Sequence, residues 1–260
     1  ILGLSPEERA AGVITASAGN HGQGVAFGAQ VAGVAATVYV PEGANPLKVE
    51  AMRRLGARVE TAGTNYQEAF DAALGHRARS GGALVHAYDD AAVIAGQGTV
   101  GLELCAQLEG FDTVLVGVGG GGLAGGIATY LKARRPGVRV IGVEPRGADS
   151  MARSLAAGRI VRLERVTTIA DGLAASAPGE LTFEIASRLL DGMIVVEDQE
   201  LGPAIRHYFE REHLLAEPAG AAALAALLNH HRPGPDERVV LVLSGANISE
   251  AVMLAALNPG

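Results

Sequence analysis

Tryptophan is absent from this sequence, and five Tyr with five Phe bring aromatics to only 4% of 260 residues. Proteins that hold nucleic acid stack bases on aromatic rings and carry a basic balance. Here the formal charge is −7, so neither nucleic acid nor an acidic membrane surface is an expected partner. A single cysteine, Cys105, excludes a disulfide framework and a cysteine-based zinc site. Its setting in "GLELCAQL" reads as an inert, buried thiol. The longest apolar run, 219–228, is too short to span a bilayer, so no membrane partner is expected. No basic-then-apolar leader opens the chain, and a cytoplasmic location is the expectation. Lysine is scarce as well: Lys48 and Lys132 are the only two, both in patterns that read as exposed helical positions. The seven histidines build no metal cluster, since His230 and His231 are adjacent and His207 and His213 share no helical face.

What the chain has in quantity is glycine, 36 residues, and an apolar fraction of 48%, enough for a large core. Short β-branched runs alternate with helical patterns. Strands are expected at 12–16, 36–41, 57–61, 83–87, 112–117, 139–144, 193–198 and 238–244. Runs apolar on both faces and separated by helices mark parallel strands in an α/β sheet. Helix starts carry their own punctuation. Ser5-Pro6-Glu7-Glu8 is a capping box with Pro at the first helical position. Asn45-Pro46 opens a helix that Gly56 closes, and Asp198 opens another whose first turn Gly202-Pro203 should disturb. Eight strands suggest two α/β lobes, a small one over 12–82 and a large one from 1–11 and 83–260.

Ligands of open parallel sheets bind at the carboxyl ends of strands, where helix N-termini present free N–H groups. Three such places have unusual sequences: "TASAGNHGQG" (15–24), "GVGGGG" (117–122) and "LSGANIS" (243–249). Gly117-x-Gly119-x-x-Gly122 satisfies the dinucleotide fingerprint, with Glu144 ending the next strand, so a nicotinamide-binding Rossmann protein fits that spacing. The four consecutive glycines make a wider nest of N–H groups, suited to a compact phosphate dianion, and a single phosphate is the favoured reading. Ser17, Ala18 and Gly19 expose backbone N–H groups suited to a carboxylate. Asn20 adds one fixed donor and acceptor, and Ser244 leaves a hydroxyl at a strand end.

Together "TASAGNHGQGVA", "HAYDDAAVIAGQGTVGLEL", "VGGGGLAGG", "TIADGLA", "EPAGAAALAAL" and "VLSGANIS" resemble, in order, the pyridoxal-phosphate enzymes of the tryptophan-synthase-β type, most closely the serine/threonine dehydratases. The resemblance covers essentially the whole chain. It implies a fold of two open parallel-sheet lobes with the cofactor between them. By position it assigns the cofactor phosphate to Gly119, Gly120, Gly121 and Gly122, with Leu123 continuing that loop. Asn20 would bond the ring hydroxyl oxygen, and Ser244 would face the pyridine nitrogen. Ser17, Ala18, Gly19 and His21 would cradle the substrate carboxylate, mainly through backbone N–H groups. Glu144, Ala148 and Ser150 correspond to a cation site of relatives; Ser150 stands where they have an acid, which favours a monovalent over a divalent ion. Glu217 would lie near the cofactor.

The implied activity is α,β-elimination of threonine or serine to a 2-oxo acid and ammonia by a homo-oligomer acting on small amino acids. Ala18 stands where the family's serine racemases carry a second Ser that protonates the α-carbon, which favours dehydration. A racemase, a hydroxyaspartate dehydratase and a cofactor-binding protein without chemistry stay open as alternatives. The family also needs a lysine that bonds the cofactor, in a Ser-Phe-Lys type segment, and no such segment occurs here. Since the sequence opens on Ile1 rather than Met, an upstream part carrying that lysine is expected in the intact enzyme.

Overall fold

The computed structural model describes residues 1–258. They divide into two compact units, one of residues Ile1–Ala87 and one from Tyr88 onward.

The first unit runs α1 (Pro6–Ala11), β1 (Val13–Ala16), α2 (Asn20–Ala32), β2 (Ala36–Val40), α3 (Pro46–Arg54), β3 (Arg58–Thr61), α4 (Tyr66–Ser80) and β4 (Ala83–Leu84). All four strands are parallel, in the order β3-β2-β1-β4. Alternation along β1 splits the core. Val13 packs with Val25, Ala26, Ala29 and Met52 of α2 and α3, whereas Ile14 and Ala16 meet Ala69 and Ala73 of α4. The Ser5 capping box and the Asn45 cap form as the sequence predicts: Ser5 Oγ accepts the Glu8 N–H and Asn45 Oδ1 the Leu47 N–H.

The second unit runs α5 (Ala91–Gln97), α6 (Thr99–Gln107), β5 (Thr113–Gly117), α7 (Gly122–Arg134), β6 (Arg139–Pro145), α8 (Ser150–Ala157), α9 (Glu180–Leu189), β7 (Gly192–Val196), α10 (Asp198–His207), α11 (Pro218–Asn229), β8 (Val239–Leu241) and α12 (Glu250–Leu257). Its sheet is again all parallel, ordered β7-β6-β5-β8. Every residue of β5 is buried because helices cover both faces. Leu115 packs with the alanines of α11 on one side, while Val114 and Val116 pack with Ile127 and Leu131 of α7 on the other. Residues 218–226 of α11 are all buried, as befits a helix apolar all round.

All eight expected strands form, most within a residue or two of the expected bounds, but β4 and β8 are shorter by three or more. β4 keeps only Ala83–Leu84 because it pairs with β1 over Val13 and Ile14 alone. β8 keeps Val239–Leu241, pairing with β5 from Thr113 to Leu115. The division into units also differs from the expected lobes: residues 1–11 and 83–87 fall in the first unit. The physical reason lies in that unit's sheet, where β4 bonds to β1 and α1 packs beside β4. In α10, Pro203 leaves the first turn intact. The helix continues to His207, and the departure comes later, as a π-helical turn Tyr208–Glu212 ending on His213 at φ +56. Cys105 is free and half-buried rather than buried. Among the described residues, no helix is long and apolar enough to cross a membrane.

Candidate functional site

In each sheet the strand order reverses once, between β1 and β4 and between β5 and β8. Crevices outside the carboxyl ends of strands at such reversals are where open α/β sheets take ligands. The three unusual loops lie at three of these four strand ends.

In the second unit, β5 runs into Val118 and the glycine loop, from which α7 starts. Gly121 is the N-cap of α7, at φ +97, and no side chain caps that helix. The first N–H groups of a helix have no intrahelical acceptor. Among the described residues, no group accepts from the amides of Gly119, Gly120, Gly121, Gly122, Leu123 or Ala124, until the Gly125 N–H bonds the Gly121 carbonyl at 2.8 Å. Four of these six residues are buried. Buried amides without acceptors are costly unless something takes them. A row of them at a helix N-terminus fits a phosphate dianion, the group that the loop's sequence suggests.

The glycines answer a second need that sequence reasoning missed. A Cβ on Gly120 would overlap the Tyr88 ring, and one on Gly122 would lie 3.0 Å from the Tyr88 Cα. One on Gly119 would lie 3.1 Å from the Leu173 Cα. The loop is therefore clasped by neighbouring chain, and burial pushes the Tyr88 phenol up from its ordinary value. Thr182 Oγ1 donates to the Gly120 carbonyl at 2.7 Å. Asp89 accepts from the Glu180 and Thr182 N–H groups at 3.0 and 3.1 Å, capping α9. The only sequence hint of this clasp was "HAYDD", which holds Tyr88 and Asp89. Nothing in the sequence singled out Thr182.

Ser244 is exposed at the carboxyl end of β8, the strand beside β5. The backbone after it is held against α11: the Glu217 N–H donates to the Gly245 carbonyl at 3.0 Å, and Gly220 leaves room for that carbonyl. Glu217 itself is 2% exposed and stands at the N-cap of α11.

Glu144, next to last in β6, is fully buried. Its oxygens accept the Met151 and Ala152 N–H groups at 2.9 and 2.8 Å, so the carboxylate closes the start of α8. Burial pushes this carboxyl up to about 8 against those two donors, which pull it down. Ala148 is buried in the preceding 3₁₀ turn, and Ser150 Oγ has no hydrogen-bond partner among the described residues. The expected cation finds no support here, because both Glu144 oxygens are spent on backbone. Among the described residues, no three His, Cys, Asp or Glu come together as a metal group. His230 and His231 turn to different partners, Glu200 and Glu237.

In the first unit, Ser17, Ala18 and Gly19 form the turn between β1 and α2, and Asn20 and His21 open that helix. The start of α2 is again without a side-chain cap. The Ser17 N–H donates to the Tyr39 carbonyl at 3.0 Å, and Ser17 Oγ accepts the Gly19 N–H at 3.2 Å. Gly22 lets the helix press onto the turn, since a Cβ there would lie 2.8 Å from the Ser17 carbonyl oxygen. The His21 ring is tied down as well, with Nε2 3.0 Å from Thr15 Oγ1 and 3.1 Å from the Val85 carbonyl.

The structure thus gathers Ser17, Ala18, Gly19, Asn20 and His21 at one strand end of the first unit. It gathers Gly119, Gly120, Gly121, Gly122, Leu123 and Ser244 at adjacent strand ends of the second. Lys132, which reads as exposed, is not: its Nζ donates to Asp191 Oδ2 at 2.7 Å and to the Val138 carbonyl at 2.8 Å. Lys48 lies half-buried in the first turn of α3.

Comparison with known proteins is consistent in kind. The family model described as pyridoxal-phosphate dependent enzyme matches residues 1–245. The L-threonine ammonia-lyase of Geobacter sulfurreducens is 46% identical over 254 residues, 98% of this chain and 63% of that protein. That of Thermotoga maritima is 43% identical over 260 residues, 100% of this chain and 65% of that protein. The chain therefore spans just under two thirds of the length of these relatives. Among solved structures, the processed form of threonine deaminase isoform 2 from Solanum lycopersicum superposes with a TM-score of 0.92 at 38% identity. That match covers 98% of this chain and 75% of the other.

Proposed function

This chain belongs to the pyridoxal-phosphate dependent enzymes, and on that premise we propose that it is the greater part of a threonine ammonia-lyase. The reaction would remove water across Cα and Cβ of L-threonine, or of L-serine, and hydrolysis of the released enamine would return that water and give ammonia with 2-oxobutanoate or pyruvate. The observation that carries the reading is the row of amides from Gly119 to Ala124, four of them in buried residues, that no group of the described protein accepts. A substrate preference for threonine rests on the names of the Geobacter and Thermotoga relatives.

When bound, pyridoxal phosphate supplies an electron sink that makes the α-proton of an attached amino acid removable. The protein's residues then divide the remaining work. Gly119, Gly120, Gly121, Gly122 and Leu123 would hold the phosphate through backbone N–H groups and the α7 dipole. Ser244 would offer the ring nitrogen a neutral hydroxyl, which would favour quick loss of a β-substituent. Asn20 would bond the ring hydroxyl. Ser17, Ala18, Gly19 and His21 receive the substrate carboxylate, with His21 held by Thr15 and Val85. Ala18 offers a methyl group where a proton donor would be needed to reprotonate the α-carbon, which supports elimination over racemisation.

The lysine that would bond the cofactor and take the α-proton is assigned to protein outside these residues, because no Ser-Phe-Lys type segment occurs among them and Lys132 is bound into a structural brace. The reading carries with it a homo-oligomer in the cytoplasm, where the free Cys105 thiol is at home. The test is the full-length protein with L-threonine and pyridoxal phosphate. Formation of 2-oxobutanoate and ammonia in equal amounts is expected. Formation of neither product would end the proposal.

A further inference from the structure

We infer that Thr182 is the positioning residue that aims the loop of residues 119–122 at the cofactor phosphate; the inference rests on the reading of that loop proposed above. Thr182 has 0% exposure and stands in the first turn of α9. Its Oγ1 accepts the Gly179 N–H at 2.9 Å and lies 2.7 Å from the Gly120 carbonyl, to which it donates. Its own backbone N–H is held by Asp89 Oδ1 at 3.1 Å. Side chain and backbone are thus both fixed before any ligand arrives.

The residue type follows from this double duty. At the third position of a helix, Glu or Gln commonly reaches back to the N-cap N–H. An ionised Glu would serve Gly179 equally well but has no proton for the Gly120 carbonyl. A hydroxyl accepts one bond and donates the other. Because the peptide unit is planar and trans, the C=O of Gly120 and the N–H of Gly121 point in opposite directions. Anchoring that carbonyl on Thr182 therefore turns the Gly121 N–H away from α9 and toward the side where, among the described residues, no acceptor takes it. Gly121 itself, at φ +97, packs on the same residue: a Cβ there would lie 2.9 Å from the Thr182 Cβ. Without the hydroxyl, the Gly120 carbonyl is buried without a partner. Rotating that peptide relieves the cost and misdirects the Gly121 N–H, so the loss falls on phosphate binding.

The experiment compares the full-length wild type with Thr182→Val and Thr182→Ser. It measures equilibrium binding of pyridoxal phosphate and of pyridoxal, which lacks the phosphate, and the phosphorus resonance of the bound cofactor. Thr182→Val should weaken pyridoxal phosphate binding about ten-fold or more, since a buried acceptor loses its donor. Pyridoxal binding should change by less than about two-fold on the same grounds. Thr182→Ser should restore both the affinity and the resonance. Should the valine protein fail to fold, Thr182→Cys, with its weak donor, gives the same comparison. Equal affinities in wild type and variant overturn the role of Thr182 alone, as does a loss shared equally by the two ligands. A wild type that binds no pyridoxal phosphate overturns the reading of the loop and the inference with it.

Discussion

Lys132 Nζ donates to Asp191 Oδ2 at 2.7 Å, and the same oxygen accepts the Val140 N–H at 2.7 Å. The pair thus ties the C-terminal end of α7 to the sheet. Gly122 opens that helix ten residues earlier, about 15 Å away along its axis. The positive charge of Lys132 is therefore structural and distant from the glycine loop. Lys132→Met should leave cofactor attachment in the full-length protein unchanged, as read by borohydride reduction and mass spectrometry. It should cost about 1 kcal/mol or less in a denaturant melt, because both partners are partly exposed. Loss of the adduct in this variant would show that Lys132 takes part in the chemistry.

The fit between Gly120 and Tyr88 predicts a substitution that fails for a steric reason. Gly120→Ala places a methyl group in the Tyr88 ring, which must move or push the loop away. A stability loss of about 1–3 kcal/mol is expected, with a larger effect on pyridoxal phosphate binding. Tyr88→Ala in the same protein should recover part of both, and a double-mutant cycle reads that coupling. Strictly additive losses would mean that the two residues do not share the space.

Glu144 predicts a pH dependence. Its folded value of about 8 lies above the ordinary 4.5, chiefly through burial. Between those two values the folded protein holds a proton that the unfolded chain has released. Stability should therefore fall as pH rises from about 4.5 toward about 8, and level off above that. Glu144→Gln removes the titrating group and should flatten this part of the profile. Urea midpoints of both proteins across that range check the sign, and parallel profiles would contradict it.

Most of the scaffold, and the loops of the candidate site, were legible in the sequence. Strands buried on both faces, such as β5 and β6, announce themselves as unbroken β-branched runs. Two of the edge strands do not: β4 and β8 read longer than they are, because pairing on one side ends before the apolar run does. The glycine loop read as a candidate anion site, and nothing in the sequence showed it clasped by Tyr88 and Thr182. Thr182 meets Gly120 across 62 residues of sequence, and Lys132 meets Asp191 across 59. Contacts at such separations leave no local pattern. For Glu144, the run "VEP" marks a strand end and says nothing of the α8 amides that its oxygens hold.

The most direct test of a single-phosphate site at residues 119–124 is a titration of the full-length protein with pyridoxal phosphate and, in parallel, with NAD. Saturable binding of one pyridoxal phosphate per chain, weakened by inorganic phosphate and unaffected by NAD, is the predicted result. Tight binding of NAD with none of pyridoxal phosphate would contradict it and return the loop to the dinucleotide reading that its spacing also allows.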